Sequence, residues 1–210
     1  MPTRLIFVRH AESVHRIDGT NAGWRTCKGL TGRSHEQACA LAADLAVRAK
    51  DAAAVYASHV RRAQETAAPI AERLCLPLQT EEGLQSWAIP AETDGMLVND
   101  AQTRFAQPGG GTFRAFESVS ETWSDLVVRI GKTLTRIMQA HAGQTVILVG
   151  HNETVMAGII VLGNLAMMPP FEASSSNASL TVWQTDGDVM AFPGPRWVLH
   201  GFNIVPEIRA

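Results

Sequence analysis

The chain is poor in cysteine, in net charge and in long apolar runs. Its three cysteines are an odd number, at spacings that match neither a disulfide framework nor a metal motif. We therefore expect Cys27, Cys39 and Cys75 to be small buried apolar side chains of a protein from a reducing compartment. A net charge of -2 provides no basic field that would attract a nucleic acid partner.

The apolar residues form no run long enough to span a bilayer, so we expect no membrane partner. Residues 1–4 lack the charged, apolar and small-residue regions of a secretory signal. Together with the cysteine pattern, this predicts a cytoplasmic protein. Five of the seven histidines show no metal-ligand spacing, and we expect neither a metal nor another cofactor; they are His15, His35, His59, His141 and His200.

The sequence does contain enough apolar residues for a large core. Over 210 residues, 46% are hydrophobic and 18% are charged. This length fits one domain that folds without metals or disulfides, and we expect a single domain over residues 1–210.

Short β-prone runs alternate with longer helical patterns, which is typical of a parallel sheet covered by helices on both faces. A long irregular stretch, with prolines and a triple glycine, predicts a lid or insertion at about 81–117. The predicted strands are 5–8, 53–57, 76–80, 145–149 and 180–183, and the predicted helices begin at Thr31 or Ser34, near Arg62, at Ser118 and near Glu153.

Arginine or histidine residues follow three of the predicted strands. The run LIFV is followed by Arg9 and His10, the strand at 53–57 leads to Arg61 and Arg62, and TVILVG is followed by His151. Because the carboxyl ends of parallel strands lie at one edge of the sheet, we expect these side chains to converge there.

Two histidines and several arginines at one edge suit a tetrahedral dianion. Arginine offers a planar fork of donors that fits phosphate oxygens and stays charged at any relevant pH. Backbone amides at the start of the helix after His151, including that of Asn152, add donors for the anion. A histidine kept neutral by an acceptor on its other ring nitrogen can attack phosphorus and carry the phosphoryl group.

An ordered set of motifs resembles the histidine phosphatase superfamily, also called the phosphoglycerate mutase-like family. The motifs are RHAES at 9–13, LTGRSHEQA at 30–38, ASHVRRAQETA at 57–67, FES at 116–118 and VGHNETV at 149–155. The resemblance implies a phosphoglycerate mutase-like α/β fold, a three-layer sandwich with a mostly parallel central sheet and helices on both faces.

The resemblance also implies roles for individual residues. His10 is similar to the phosphorylated nucleophile, Arg9 and Arg62 to phosphate ligands, and His151 to the second histidine of the pocket. Arg16 stands where the family often has asparagine, and it is a further candidate contact to phosphate.

The chain departs from the family pattern at the proton donor. Ser86 stands where many members carry the glutamate proposed as the acid, and serine cannot protonate a leaving alkoxide at neutral pH. The candidates that remain are Glu92, Asp94 and Glu153, of which Glu92 lies in the insertion expected to border the pocket. We therefore take Glu92 as the expected acid.

These observations predict a metal-independent phosphomonoesterase, a histidine acid phosphatase-type hydrolase that acts through a phosphohistidine on a small-molecule phosphate ester. Mutase-type phosphoryl transfer is the first alternative, although a Glu-Arg-His-Tyr-Gly type stretch is absent between positions 81 and 111. A phosphate-ligand binding protein that has lost turnover with its acid is the second.

Overall fold

The computed structural model describes residues 1–169 and 171–207, in which six strands form one mixed sheet. The order across the sheet is β3-β2-β4-β1-β5-β6, and the first four of these strands are parallel. The strands are β1 Thr3–Arg9, β2 Ala52–Ala57, β3 Leu78–Thr80, β4 Thr145–Gly150, β5 Leu180–Thr185 and β6 Val198–Ile204. The prediction of a mostly parallel sheet is confirmed.

Helices cover both faces of this sheet. They are α1 Val14–Asp18, α2 Gly32–Arg48, α3 Arg61–Arg73, α4 Val98–Phe105, α5 Trp123–Ala140 and α6 Asn152–Leu162, with a 3-10 turn at Glu82–Leu84. None of the helices within residues 1–169 and 171–207 combines the length and the apolar character needed to cross a membrane.

Strand β1 shows why the protein has three layers. Its side chains alternate between the two faces of the sheet, because successive residues of a strand point in opposite directions. Ile6 and Val8 enter the cluster packed by α2 and α3, whereas Leu5 and Phe7 enter the cluster packed by α5 and α6. All four are buried, which explains the unbroken apolar run in the sequence.

The structure corrects several predicted boundaries. Strand β3 begins at Leu78 rather than at position 76, because the backbone amide of Leu76 still donates to Ala71 at the end of α3. Helix α5 begins at Trp123 rather than at Ser118, because Thr122 and Asp125 form a reciprocal capping box there.

The predicted elements do not include helix α1, helix α4, the 3-10 turn or strand β6. Strand β6 pairs antiparallel with β5. Helix α4 and the 3-10 turn lie within the segment 81–117, whose action as a lid of a single domain stays a prediction.

The expectation for the cysteines is wrong for two of the three. Cys27 is buried, whereas Cys39 and Cys75 are exposed. Cys39 lies on α2 outside the stripe of Ala38 and Leu41 that packs on the sheet, and Cys75 lies in the turn after α3.

The carboxyl ends of β1, β2 and β4 are joined by backbone hydrogen bonds. The amide of His10 donates to the carbonyl of Gly150 over 2.9 Å, and the amide of Ser58 donates to the carbonyl of Val149, also over 2.9 Å. The residues that follow these three strands are therefore held at one edge of the sheet, as expected.

Close packing of α6 on β1 provides a test of the fold. A Cβ at Gly158 would lie 2.7 Å from Cζ of Phe7. We expect Gly158→Ala to lower the free energy of unfolding by about 1–3 kcal/mol, measured by urea denaturation, because overpacking outweighs the better helix propensity. Gly131→Ala on α5 is the control: its Cβ meets only Val161, at an ordinary 3.4 Å, and stability should stay equal or rise. Equal effects of the two substitutions would contradict this packing.

Candidate active site

His10, His151 and Arg62 meet in a buried group at the carboxyl edge of the sheet. The two imidazole rings lie 5.1 Å apart between centroids. The Nε of Arg62 donates to Nε2 of His10 over 3.2 Å, and its Nη2 donates to Nδ1 of His151 over 3.2 Å. One guanidinium therefore bridges residues that are 141 positions apart in the sequence.

Arg62 is a buried cation held by neutral groups. It is only 4% exposed, and its Nη1 donates to the carbonyl of Ala22 over 2.7 Å and contacts Sγ of Cys27 at 3.5 Å. Within the described residues, no carboxylate forms a salt bridge with it. Because an unpaired buried charge is costly, the site favours an anion.

The backbone fixes the tautomer of His10. Its Nδ1 lies 2.6 Å from the carbonyl oxygen of Ala11, and a carbonyl oxygen only accepts hydrogen bonds. Nδ1 therefore carries the hydrogen of the neutral ring, and Nε2 keeps its lone pair. The side-chain amide of Asn177 donates to the carbonyl of His10 over 2.9 Å and holds the residue from the other side.

His151 is oriented by Arg62 and by Ser58. A guanidinium only donates, so Nδ1 of His151 accepts from Arg62 and Nε2 carries the hydrogen. Nε2 lies 3.1 Å from Oγ of Ser58, which accepts this hydrogen bond. Sequence reasoning assigned no role to Ser58, although its position directly after β2 was the signal for one.

Both histidines are neutral at ordinary pH. Burial, followed by the charge of Arg62, holds the pKa of His10 well below its usual 6.5. The same two causes, in the same order, lower the pKa of His151. His15, whose ring lies 6.4 Å from that of His10, has its pKa lowered to about 4, chiefly by burial and then by Arg62.

Arg9 and Asn152 also lie at the carboxyl edge of the sheet, and both form hydrogen bonds with Ser175. Arg9 donates through Nη1 to the carbonyl of Ser175, and its Nε is buried without a partner among the described atoms. The side-chain oxygen of Asn152 accepts from the amide and the hydroxyl of Ser175, over 2.9 and 3.1 Å. Asn152 thus positions the loop that holds Arg9, whereas Arg16 is exposed on α1.

The three candidate acids lie in different environments. Glu92 is exposed in the turn over 91–95. Asp94 accepts hydrogen bonds from the amide of Gly23 and from Thr26, and so ties two loops together. Glu153, in the first turn of α6, accepts from the hydroxyl of Ser86 over 2.7 Å.

Glu153 is also electrostatically coupled to the site. Burial lowers the pKa of Arg9, and the charge of Glu153 opposes that effect. Ser86 stands at the position where the family's acid is expected. Its hydroxyl instead binds the carboxylate of Glu153, which comes from α6. Among the described residues, no group of three or more histidine, cysteine or acidic side chains could hold a metal ion.

The fold and this geometry define an α/β protein with a buried cationic site that contains two neutral histidines. The chain belongs to the histidine phosphatase superfamily (branch 1), whose family model matches residues 5–194. This membership supports a phosphatase.

Two curated relatives and one solved structure are similar to nearly the whole chain. The uncharacterized protein Rv0525 of Mycobacterium tuberculosis is 31% identical over 89% of this chain and 92% of its own length. A 2,3-bisphosphoglycerate-dependent phosphoglycerate mutase of Bartonella bacilliformis is 26% identical over 79% of this chain and 84% of its own. The mycobacterial glucosyl-3-phosphoglycerate phosphatase Rv2419c superposes with a TM-score of 0.81, at 21% identity, over 97% of this chain and 100% of its own, which supports the fold.

The neutral histidines make stability depend on pH. Because their folded pKa values lie below 6.5, the unfolded chain binds more protons once the pH falls below that value. Stability should therefore fall between about pH 7 and 5, by up to about 1.4 kcal/mol per pH unit for each fully buried histidine. Urea denaturation across this range measures the slope.

Matched variants separate the contributions of individual histidines. We expect His151→Gln to reduce the slope of stability against pH. The change His35→Gln removes an exposed histidine on α2 and should keep the wild-type slope. A wild-type slope in His151→Gln would contradict the assignment of a neutral buried ring.

Proposed function

We propose that the protein is a metal-independent phosphomonoesterase, a histidine acid phosphatase-type hydrolase that forms a phosphohistidine on His10. Its substrate is a small phosphorylated metabolite. The observation that carries the proposal is the Nε2 lone pair of His10, which faces a buried arginine and lies beside a second neutral histidine.

The first step is in-line attack on phosphorus by Nε2 of His10. The N–P bond forms as the ester P–O bond breaks, and Arg62, which stays charged, donates its hydrogen bonds to the phosphoryl oxygens instead of to the imidazoles. Arg9 and the backbone amide of Asn152 offer further donors to these oxygens. Charge developing on the transferring group is thereby stabilised at a site that already favours an anion.

The second step returns the enzyme to its starting state. A water molecule attacks phosphorus, the N–P bond breaks, and inorganic phosphate leaves with His10 neutral again. Two displacements of moderate barrier replace one that is difficult.

We assign the proton transfers to Glu153. Its carboxyl protonates the departing ester oxygen in the first step and takes a proton from water in the second. The hydrogen bond from Ser86 and the coupling to Arg9 support this assignment over Glu92, which is exposed. Glu92, the acid expected from the sequence, is tested beside Glu153 by the pair of glutamate variants described below.

Mutase-type transfer is the second candidate, because one relative is a phosphoglycerate mutase. A mutase must hold a phosphorylated intermediate and reorient it before the phosphoryl group returns. Assay of 3-phosphoglycerate conversion alongside phosphate release decides between the two activities.

Hydrolysis of para-nitrophenyl phosphate with a chelator present tests the nucleophile. We expect turnover in the wild type and a loss on the order of a thousandfold or more in His10→Ala. Mass spectrometry after an alkaline quench should find the phosphoryl group on His10. His35→Ala, an exposed histidine, is the control. Turnover that persists in His10→Ala, or that requires a metal, would refute the mechanism.

A pair of glutamate variants tests the acid. Glu153→Gln should lower kcat for an alkyl phosphate by roughly 10²–10⁴-fold, because an alkoxide must be protonated as it leaves. For para-nitrophenyl phosphate, whose leaving group needs little protonation, the loss should be much smaller. Glu92→Gln should change neither. The reverse pattern would assign the acid to Glu92.

A further inference from the structure

The structure contains a largely apolar cavity of about 380 Å³, whose wall includes Trp87 and Asn21. This volume falls within the usual size range of small-molecule pockets. Its apolar walls come from the segment after β3, from the start of α5 and from the loop after α6. They are formed by Trp87, Ile89, Pro90, Phe116, Trp123 and Met168.

Two residues of the cavity wall are next in the chain to residues that contact the catalytic group. Trp87 directly follows Ser86, whose hydroxyl donates to Glu153. Asn21, which also lines the cavity, directly precedes Ala22, whose carbonyl accepts from Arg62. Consecutive Cα atoms are about 3.8 Å apart, so the cavity wall begins one residue from the hydrogen-bond partners of Glu153 and Arg62.

Arg129 holds this wall in place. It donates to the carbonyls of Gly83 and Ser86 over 2.9 Å each, and forms a salt bridge of 2.6 Å with Glu121. Glu121 in turn accepts from the amide of Ala88 over 2.7 Å. The backbone on both sides of Trp87 is therefore anchored to Arg129 on α5 and to Glu121, which precedes the N-cap of that helix. The cavity wall is largely preformed.

The two indole rings are also fixed. Their centroids lie 5.8 Å apart at an angle of 52°, and Nε1 of Trp123 donates to the carbonyl of Met167 over 2.9 Å. Two tilted aromatic rings in this arrangement leave apolar surface for a planar or bulky apolar group.

The charge of the cavity excludes a second anionic group. In the described part of the chain, no lysine, arginine or histidine lines it, and Glu117 is its one charged residue. A carboxylate or second phosphate would meet apolar rings and a negative charge without any counter-ion. The positive charge is concentrated at Arg62 and Arg9, where the transferred phosphoryl group binds.

We propose that this cavity binds the leaving group of the substrate, and that the substrates are phosphate monoesters of uncharged, apolar, aromatic or comparably bulky alcohols. This inference rests on the proposed phosphomonoesterase activity. It disfavours phosphoglycerates, whose leaving group carries a carboxylate.

A substrate pair of equal size tests the cavity. We would compare kcat/KM for 4-ethylphenyl phosphate and 4-carboxyphenyl phosphate, with acetyl phosphate as a reference too small to fill the cavity. The carboxyl group withdraws electrons and makes its phenolate the better leaving group, so chemistry alone favours the charged ester. We expect the ethyl compound to react about tenfold faster or more, as is usual for apolar pocket contacts.

Two pairs of variants assign the preference to the cavity. Trp87→Leu should reduce kcat/KM for 4-ethylphenyl phosphate about tenfold more than for acetyl phosphate, chiefly through KM. Phe192→Ala, which removes an exposed aromatic ring elsewhere, should not change this ratio. Glu117→Lys should raise the relative rate of the carboxylate ester, whereas Glu36→Lys, an equal charge change on the exposed face of α2, should not.

The outcomes separate this inference from the phosphomonoesterase proposal. Turnover that depends on His10, without preference for the ethyl ester and with equal effects of Trp87→Leu on all substrates, would overturn the cavity assignment alone. Absence of His10-dependent turnover of all three compounds would overturn the phosphomonoesterase proposal, and the inference with it.

Discussion

The buried guanidinium of Arg62 is the constraint on which the site depends. It bridges His10 and His151, is held by Ala22 and Cys27, and lacks a salt bridge among the described residues. Burial is the larger cause that lowers the pKa of both histidines, and the charge of Arg62 is the second. Both rings therefore stay neutral. In the proposed mechanism, the same charge therefore keeps the nucleophile neutral and attracts the anion that it attacks.

The central residues of the site could be predicted from the sequence, because the carboxyl ends of adjacent parallel strands lie at one edge of the sheet. An apolar run buried on both faces must leave the core at its carboxyl end, and β1, β2 and β4 do so side by side. The polar residues that follow them, Arg9, His10 and His151, could therefore be predicted to converge without knowledge of any contact. Arg62 required the motif as well, because it lies one position inside α3.

Other parts of the site depend on contacts that no local pattern encodes. The hydrogen bond between Ser86 and Glu153 joins residues 67 positions apart, and the proposal of Glu153 as the acid rests on it. Sequence reasoning favoured Glu92 because it lies in the segment 81–117, but chain proximity does not determine which way a side chain points. Ser58 was passed over because a serine after a strand is also an ordinary chain exit.

The short segment from Gly83 to Ala88 connects the proposed acid with the proposed leaving-group cavity. Arg129 and Glu121 fix its backbone, so that Ser86 contacts Glu153 while Trp87, the next residue, forms a wall of the apolar cavity. In the proposed mechanism, a leaving group seated against Trp87 lies next to the residue that contacts Glu153, the proposed proton donor. If Glu153 is the acid, as we propose, the proton donor comes from α6, an element separate from the cavity wall. The residues that face the leaving group can then vary without loss of the proton donor.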